Sequence, residues 1–289
     1  MERQSMDRFG WQLEALSPGT IVVMGVPSDE NSSSMRGPAQ APTLIRQKLH
    51  SGEANLCAET GIDLGSDNRW VDLGDLDLGR GTAALEQIEQ AANELVGRGL
   101  RIVSLGGDHA VTYPLVRGIS HQYPDLNILH LDAHPDLYDE LEGNRYSHGC
   151  PFARIMEEQL ATRLVQVGIR TMNPHQRQQA ERFGVEVLDI LHWQPGTRLE
   201  FDGPLYLSLD LDVLDPAFAP GVSHHEPGGL STREVIDLIQ GLETPLVGAD
   251  IVEYNPQRDP VGMTAMTAAK LLKEILARML ASSPHEHNP

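Results

Sequence analysis

The sequence predicts an α/β protein: a single three-layer α/β/α domain with a mostly parallel central sheet. Three observations predict it. Short continuous apolar runs recur along the chain, segments with helical spacing fall between them, and no linker rich in Gly, Ser or Pro divides residues 1–289. Strands that are apolar along their whole length are buried on both faces, which is how parallel strands lie beneath crossover helices.

Taken in order, IVVMGV (21–26) reads as a buried strand, followed by the loop SDENSSSMRG. PAQAPTLIRQKLH (38–50) then reads as a helix opening on proline, whose missing N–H costs nothing in a first turn. Leu85, Ile88, Leu95 and Val96 recur at helical spacing, and RIVSL (101–105) is a strand ended by Gly106 and Gly107. Val111 to Gln122 reads as a helix that tolerates Pro114 only in its first turn. LNILHL (126–131), RLVQVGI (163–169), VEVL (185–188), PLYLSLD (204–210) and PLVGADIVEY (245–254) are further strands. A last helix carries Leu272, Ile275, Leu276 and Met279 on one face, and the tail SSPHEHNP from about residue 282 is expected to fray.

Composition narrows the function classes. The 41 acidic against 22 basic residues leave a net charge of −19, which disfavours nucleic acid and anionic membranes and favours a cationic ligand. No apolar run approaches the ~20 residues that span a bilayer. The opening MERQSMDRFGWQLEAL has no apolar signal region, so a cytoplasmic setting is expected. Cys57 and Cys150 are too few for a disulfide framework and lack metal or redox spacing.

Ligands of an open α/β sheet bind outside the carboxyl ends of its strands. Four strands put polar groups there. RIVSL runs into GGDH, presenting His109; LNILHL runs into DAHPD, presenting Asp132, His134 and Asp136; LYLSL runs into DLD, presenting Asp210 and Asp212; and LVGADIV runs into EYNP, presenting Glu253. Alternate spacing would put each set on one side of an extended chain. A lone DxD is usually a solvated turn, and GGDH alone could be a capped turn. DxHxD after an apolar strand is harder to explain without a counter-ion, because three ionisable groups in one place are costly unpartnered.

Charge decides the next step. Four ionised aspartates with two neutral histidines are balanced by two divalent cations, whereas one would leave a residual double negative charge. A set of oxygens with two imidazoles suits Mn²⁺, and Zn²⁺, Co²⁺, Ni²⁺ or Fe²⁺ could also fit. Two such ions can lower the pKa of a shared water, so hydrolysis is the expected chemistry.

Together, GGDHA, LDAHPDLYD, SLDLDVLDPAFAPG and EYNPQRD resemble the ureohydrolases, the arginase and agmatinase family, over nearly the whole chain from about Gly25 to Leu280. The resemblance implies an arginase-like fold with two Mn²⁺ ions. His109, Asp132, Asp136 and Asp210 would hold one, and Asp132, His134, Asp210 and Asp212 the other. It also implies hydrolysis of a guanidinium to urea, with Glu253 binding the guanidinium and His148, in EGNRYSHGCPF, shuttling the proton. A homo-oligomer, trimer or hexamer, is implied as well. PGVSHHEPGG, with His224 and His225, departs from the TGTP-like sequence typical of agmatinases. With DPAFAPGVSHHEPGGLSTREV, GMTAMTAAKLL and ENSSSMRGPAQAP it is similar to plant-type arginases and their bacterial counterparts, which cleave L-arginine to L-ornithine and urea.

On that reading Asn144 and Arg145, in the loop after DAHPD, and His224 are expected to recognise the amino-acid end of the substrate. Agmatine, yielding putrescine and urea, or guanidinobutyrate are the alternative substrates. Metal-dependent deacetylases share a similar fold but use one metal with fewer ligands, and a non-catalytic relative would be expected to have lost a ligand or Glu253.

Overall fold

The computed structural model describes residues 9–282; the tail residues 283–289 lie outside them. Eight strands of the described residues form one sheet: β1 Ile21–Gly25, β2 Trp70–Asp75, β3 Arg101–Leu105, β4 Asn127–Leu131, β5 Arg163–Val167, β6 Glu186–Leu188, β7 Leu205–Asp210 and β8 Leu246–Val252. Their order is β2-β1-β3-β8-β7-β4-β5-β6, and every neighbouring pair is parallel. The expected mostly parallel sheet is therefore wholly parallel.

Among the described residues seven α-helices cover it: α1 Ala41–Leu49, α2 Thr82–Gly97, α3 Thr112–Ser120, α4 Pro151–Glu157, α5 Pro174–Phe183, α6 Thr232–Gly241 and α7 Met263–Ala281. Alternation along a strand assigns the layers. Ile21 and Val23 belong to one buried cluster with Ile45 of α1, Val235 of α6 and Leu272 of α7. Val22 and Met24 face the other way, into a second buried cluster that includes Leu95 of α2, Val116 of α3 and Phe152 of α4. Each fully buried aliphatic side chain of this kind contributes about 1.5–3 kcal/mol.

Local signals set several helix ends. Ser231 and Glu234 form a reciprocal capping box at α6, and Asn173 and Gln176 form another at α5, which opens on Pro174 and closes on left-handed Gly184. The strands with site residues at their carboxyl ends, β3, β8, β7 and β4, are adjacent at the centre of the sheet. Their rim is where an open parallel sheet holds its ligand.

Candidate metal centre

His109 reaches the rim through the turn after β3. A Cβ on Gly107 would lie 1.8 Å from the Ser28 carbonyl oxygen, so only glycine lets these backbones meet. Asp108 then caps the short 3₁₀ turn His109–Val111 by accepting Ala110 N–H. The His109 ring is fully buried, edge-on to Phe152 with ring centroids 5.3 Å apart. Its Nδ1 lies 3.0 Å from Asp136 Oδ2 and 3.2 Å from both Asp132 Oδ2 and Asp210 Oδ2, yet has no hydrogen-bond partner. A buried nitrogen aimed without a bond among three carboxylate oxygens has the donor chemistry of a metal site.

The second group is built around Asp132. His134 Nδ1 lies 3.4 Å from Asp132 Oδ1 and 3.0 Å from Asp212 Oδ2. The structure thus brings all six expected ligands together, with Asp132 facing both histidines. The route differs from alternation along an extended chain. β4 ends at Leu131, Asp136 has a left-handed φ of +48°, and Asp212 sits in the 3₁₀ turn Leu211–Val213. Loop conformations aim these carboxylates, and the left-handed backbone of Asp136 is strain held at the site.

The electrostatics describe a cluster short of positive charge. Burial pushes the Asp210 carboxyl well above its usual range, reinforced by Asp212 and Asp132, and pushes Asp212 up to about 6 with help from Asp132. Burial opposes charge on His109, but the three carboxylates outweigh it and raise its pKa well above the ordinary value. His134 is raised too, since Asp212 and Asp132 overcome its burial. Asp132 goes the other way: burial pushes it up, and the surrounding imidazoles of His130, His109 and His134 bring it well below. Protons held in this way occupy the role that two divalent ions would take, and the residues present fit such a pair.

Beside the ligands, Glu253 follows β8 with a left-handed φ of +64°. Its Oε1 accepts His109 N–H at 2.9 Å and lies 3.0 Å from His148 Nδ1. His148 Nε2 lies 2.9 Å from Ser33 Oγ. Burial disfavours charge on His148, but Glu253 prevails and raises its pKa to about 9. His224 stacks on His148 with centroids 5.1 Å apart, and burial together with His148 lowers its pKa.

His134, Asp136, Asp210 and Asp212, with His148, His224 and Glu253, line a cleft of about 190 Å³ that also presents Ser33, Tyr138, Thr171, Asn173 and Gln176. A larger groove of about 760 Å³ beside α5 and β6 shares only Thr171 with it and contains none of the ligands.

Two expected recognition residues stand apart from the cleft. Arg145 is exposed and pairs with Asp139 at 3.0 Å and Glu157 at 2.8 Å. Asn144 donates to Asn31 Oδ1 at 3.0 Å and accepts Tyr146 N–H, bracing the His148 loop. Residues that sequence reasoning passed over also matter. His130 Nε2 lies 2.8 Å from Asp132 Oδ2, and its position two residues before Asp132 extended the alternation already noticed. Arg170 donates to the Asp212 carbonyl at 2.6 Å and the Glu226 carbonyl at 2.8 Å, joining a ligand turn to the His224 loop. No spacing marked it.

A family model described as the arginase family matches residues 19–277. Arginase 1, mitochondrial, of Arabidopsis thaliana is 46% identical over 274 residues, covering 89% of this chain and 80% of that protein. Guanidinobutyrase of Pseudomonas aeruginosa is 33% identical over 283 residues, covering 92% and 87%. The solved arginase from Medicago truncatula superposes with a TM-score of 0.85 at 39% identity, covering 92% of this chain and 89% of that one. A rim that gathers two histidines and four aspartates, in a chain matched over this length, makes this protein a member of the arginase family.

Proposed function

We propose that this protein hydrolyses the guanidinium group of L-arginine to L-ornithine and urea at a two-metal centre, with Mn²⁺ as the metal. The observation that carries the reading is His109 Nδ1, unbonded among the oxygens of Asp132, Asp136 and Asp210, with Glu253 beside it. His109, Asp132, Asp136 and Asp210 would hold one ion, and Asp132, His134, Asp210 and Asp212 the other. When bound, the pair supplies Lewis acidity that makes water a nucleophile at neutral pH.

The chain's own groups do the rest. Both side-chain hydrogen-bond contacts of Glu253 among the described residues fall on Oε1, so Oε2 is the oxygen that meets a guanidinium N–H. His148, anchored through both ring nitrogens, holds the proton that the departing amine of ornithine takes up. His224, stacked on His148 and facing the cleft, helps select the substrate. Among the described residues no lysine or arginine lines the cleft, so a substrate carboxylate is met there by neutral donors such as Ser33, Thr171 and Asn173 rather than by Arg145.

Arginine is favoured over guanidinobutyrate by the higher identity to the plant enzyme, 46% against 33%. A homo-oligomer, trimer or hexamer, and a cytoplasmic setting belong to the same proposal. No helix among the described residues is long and apolar enough to cross a membrane, and the Arabidopsis relative is named mitochondrial. Light scattering and fractionation of the source cells test these two points.

The deciding assay is urea release by the Mn²⁺-loaded protein on L-arginine, agmatine and guanidinobutyrate side by side. The expected result is preference for arginine. Preference for another compound overturns the specificity, and no urea from any of them overturns the reaction.

A further inference from the structure

A buried chain of hydrogen bonds leads away from the ligand cluster into the sheet. His109 Nε2 lies 3.0 Å from Ser208 Oγ, and Ser208 Oγ donates to Asp250 Oδ1 at 2.8 Å. Asp250 Oδ2 accepts the Tyr206 hydroxyl at 2.7 Å and Thr112 Oγ1 at 2.8 Å. All five residues of the chain, His109, Ser208, Asp250, Tyr206 and Thr112, are 0% exposed. Ser208 and Asp250 are register partners on β7 and β8, so the sheet itself fixes their approach.

Counting hydrogens gives the chain its direction. The Asp250 carboxylate has no hydrogen to offer, so the three hydroxyls around it all donate. Ser208 thereby uses its single hydrogen, and its oxygen can only accept from His109. Nε2 must then carry a hydrogen, and Nδ1, the nitrogen facing Asp132, Asp136 and Asp210, is the one left for a metal.

A carboxylate in the middle of a sheet is expensive to bury, and the surrounding positions are filled with apolar side chains that would satisfy packing at lower cost. We propose that Asp250 is a positioning residue for the metal centre, acting through Ser208 to fix the orientation and hydrogen placement of the His109 imidazole and so to strengthen metal binding. The inference rests on the reading of His109 as a metal ligand. Partners of this kind, behind a ligating histidine, are typically worth 10–100-fold in metal affinity, and here the carboxylate works through one intervening hydroxyl.

The test is Mn²⁺ affinity, measured by calorimetry on metal-free protein and by the rate of loss to a chelator. Ser208→Ala and Asp250→Asn are each expected to weaken binding about 10–100-fold. The double variant is expected to bind no more weakly than Ser208→Ala alone, because the effect of Asp250 passes through Ser208. Ser208→Thr, which keeps the hydroxyl, should restore most of the affinity.

Circular dichroism of the metal-free forms shows which variants fold. Should Asp250→Asn fail to fold, Ser208→Ala still decides, since it leaves Asp250 two donors. Unchanged affinity in Ser208→Ala, or losses that multiply in the double variant, overturns the proposal. None of these readings uses urea. A parent protein that binds Mn²⁺ and follows this pattern without releasing urea sinks the proposed function alone, whereas failure of the parent to bind Mn²⁺ sinks both.

Discussion

His148 and Glu253 meet at one oxygen: Nδ1 of the loop histidine lies 3.0 Å from Glu253 Oε1, the same atom that accepts the backbone N–H of His109 at 2.9 Å. The proposed proton carrier is therefore tied to the proposed guanidinium binder, and that residue to the metal turn. Replacing His148 with Gln should leave the metal content unchanged and lower the rate of urea release by about 10²-fold or more, as loss of a general acid does. Metal analysis alongside initial rates checks this; loss of metal in the variant would assign His148 a different role.

The same pair gives the metal-free protein a pH signature. His148 is raised from 6.5 to about 9, so its contribution to stability is complete below 6.5 and is lost as the pH rises through about 9. Glu253 is lowered from 4.5, so its contribution is complete above 4.5 and is lost as the pH falls through its folded value. Denaturant unfolding of the metal-free protein should thus show stability declining between pH 6.5 and 9, with a shallower decline in His148→Gln. Equal slopes in the two proteins would count against the pair.

Asp132→Ala or Asp210→Ala should remove metal and activity together, because each carboxylate is shared between the two proposed ions. Asp132 faces His109 and His134 at once, and Asp210 Oδ1 also takes Asp212 N–H at 2.8 Å. Metal retention with near-parental urea release in either variant rules out the two-metal assignment.

Loading the metal should release protons at neutral pH. His109, His134 and Asp210 all hold protons above their ordinary range in the metal-free cluster, and Asp212 does so up to about 6. Cations displace those protons, so apparent affinity falls as the pH drops and protons compete more strongly. Calorimetry in buffers of differing ionisation enthalpy measures the count; a heat independent of buffer would contradict the charge argument.

Arg145→Ala should leave the ratio of arginine to agmatine turnover within about twofold of the parent, because partly exposed ion pairs such as those with Asp139 and Glu157 contribute little. Selective loss of arginine turnover would instead place Arg145 in substrate recognition.

The central strands were legible because they are apolar on both faces, and the ligands because they follow those strands directly. β2, WVDLGD, escaped notice as a half-exposed edge strand with two aspartates and a glycine. α5 buries only Gln176, Gln179 and Ala180, so it has no apolar stripe to find. α6 did carry a signal, the box from Ser231 to Glu234, ahead of Val235, Ile236, Leu238 and Ile239. Within the site, residue types at strand ends located the ligands, while the aim of each side chain depended on left-handed backbone at Asp136 and Glu253. Arg145 looked suited to a carboxylate and found two in its own chain. Only the folded arrangement could show that.

The position of β8 between β3 and β7 has a consequence for synthesis. Strands made early and late in the chain become neighbours only through Leu246–Val252, so the sheet cannot close until those residues have left the ribosome. Before then β3 and β7 present unpaired edges, the kind that slow folding and recruit other chains. Glu253 arrives one residue after that strand, together with Asp250 within it. A nascent chain stalled earlier keeps those edges open, and the rim gains its last residue, Glu253, only when β8 inserts between them.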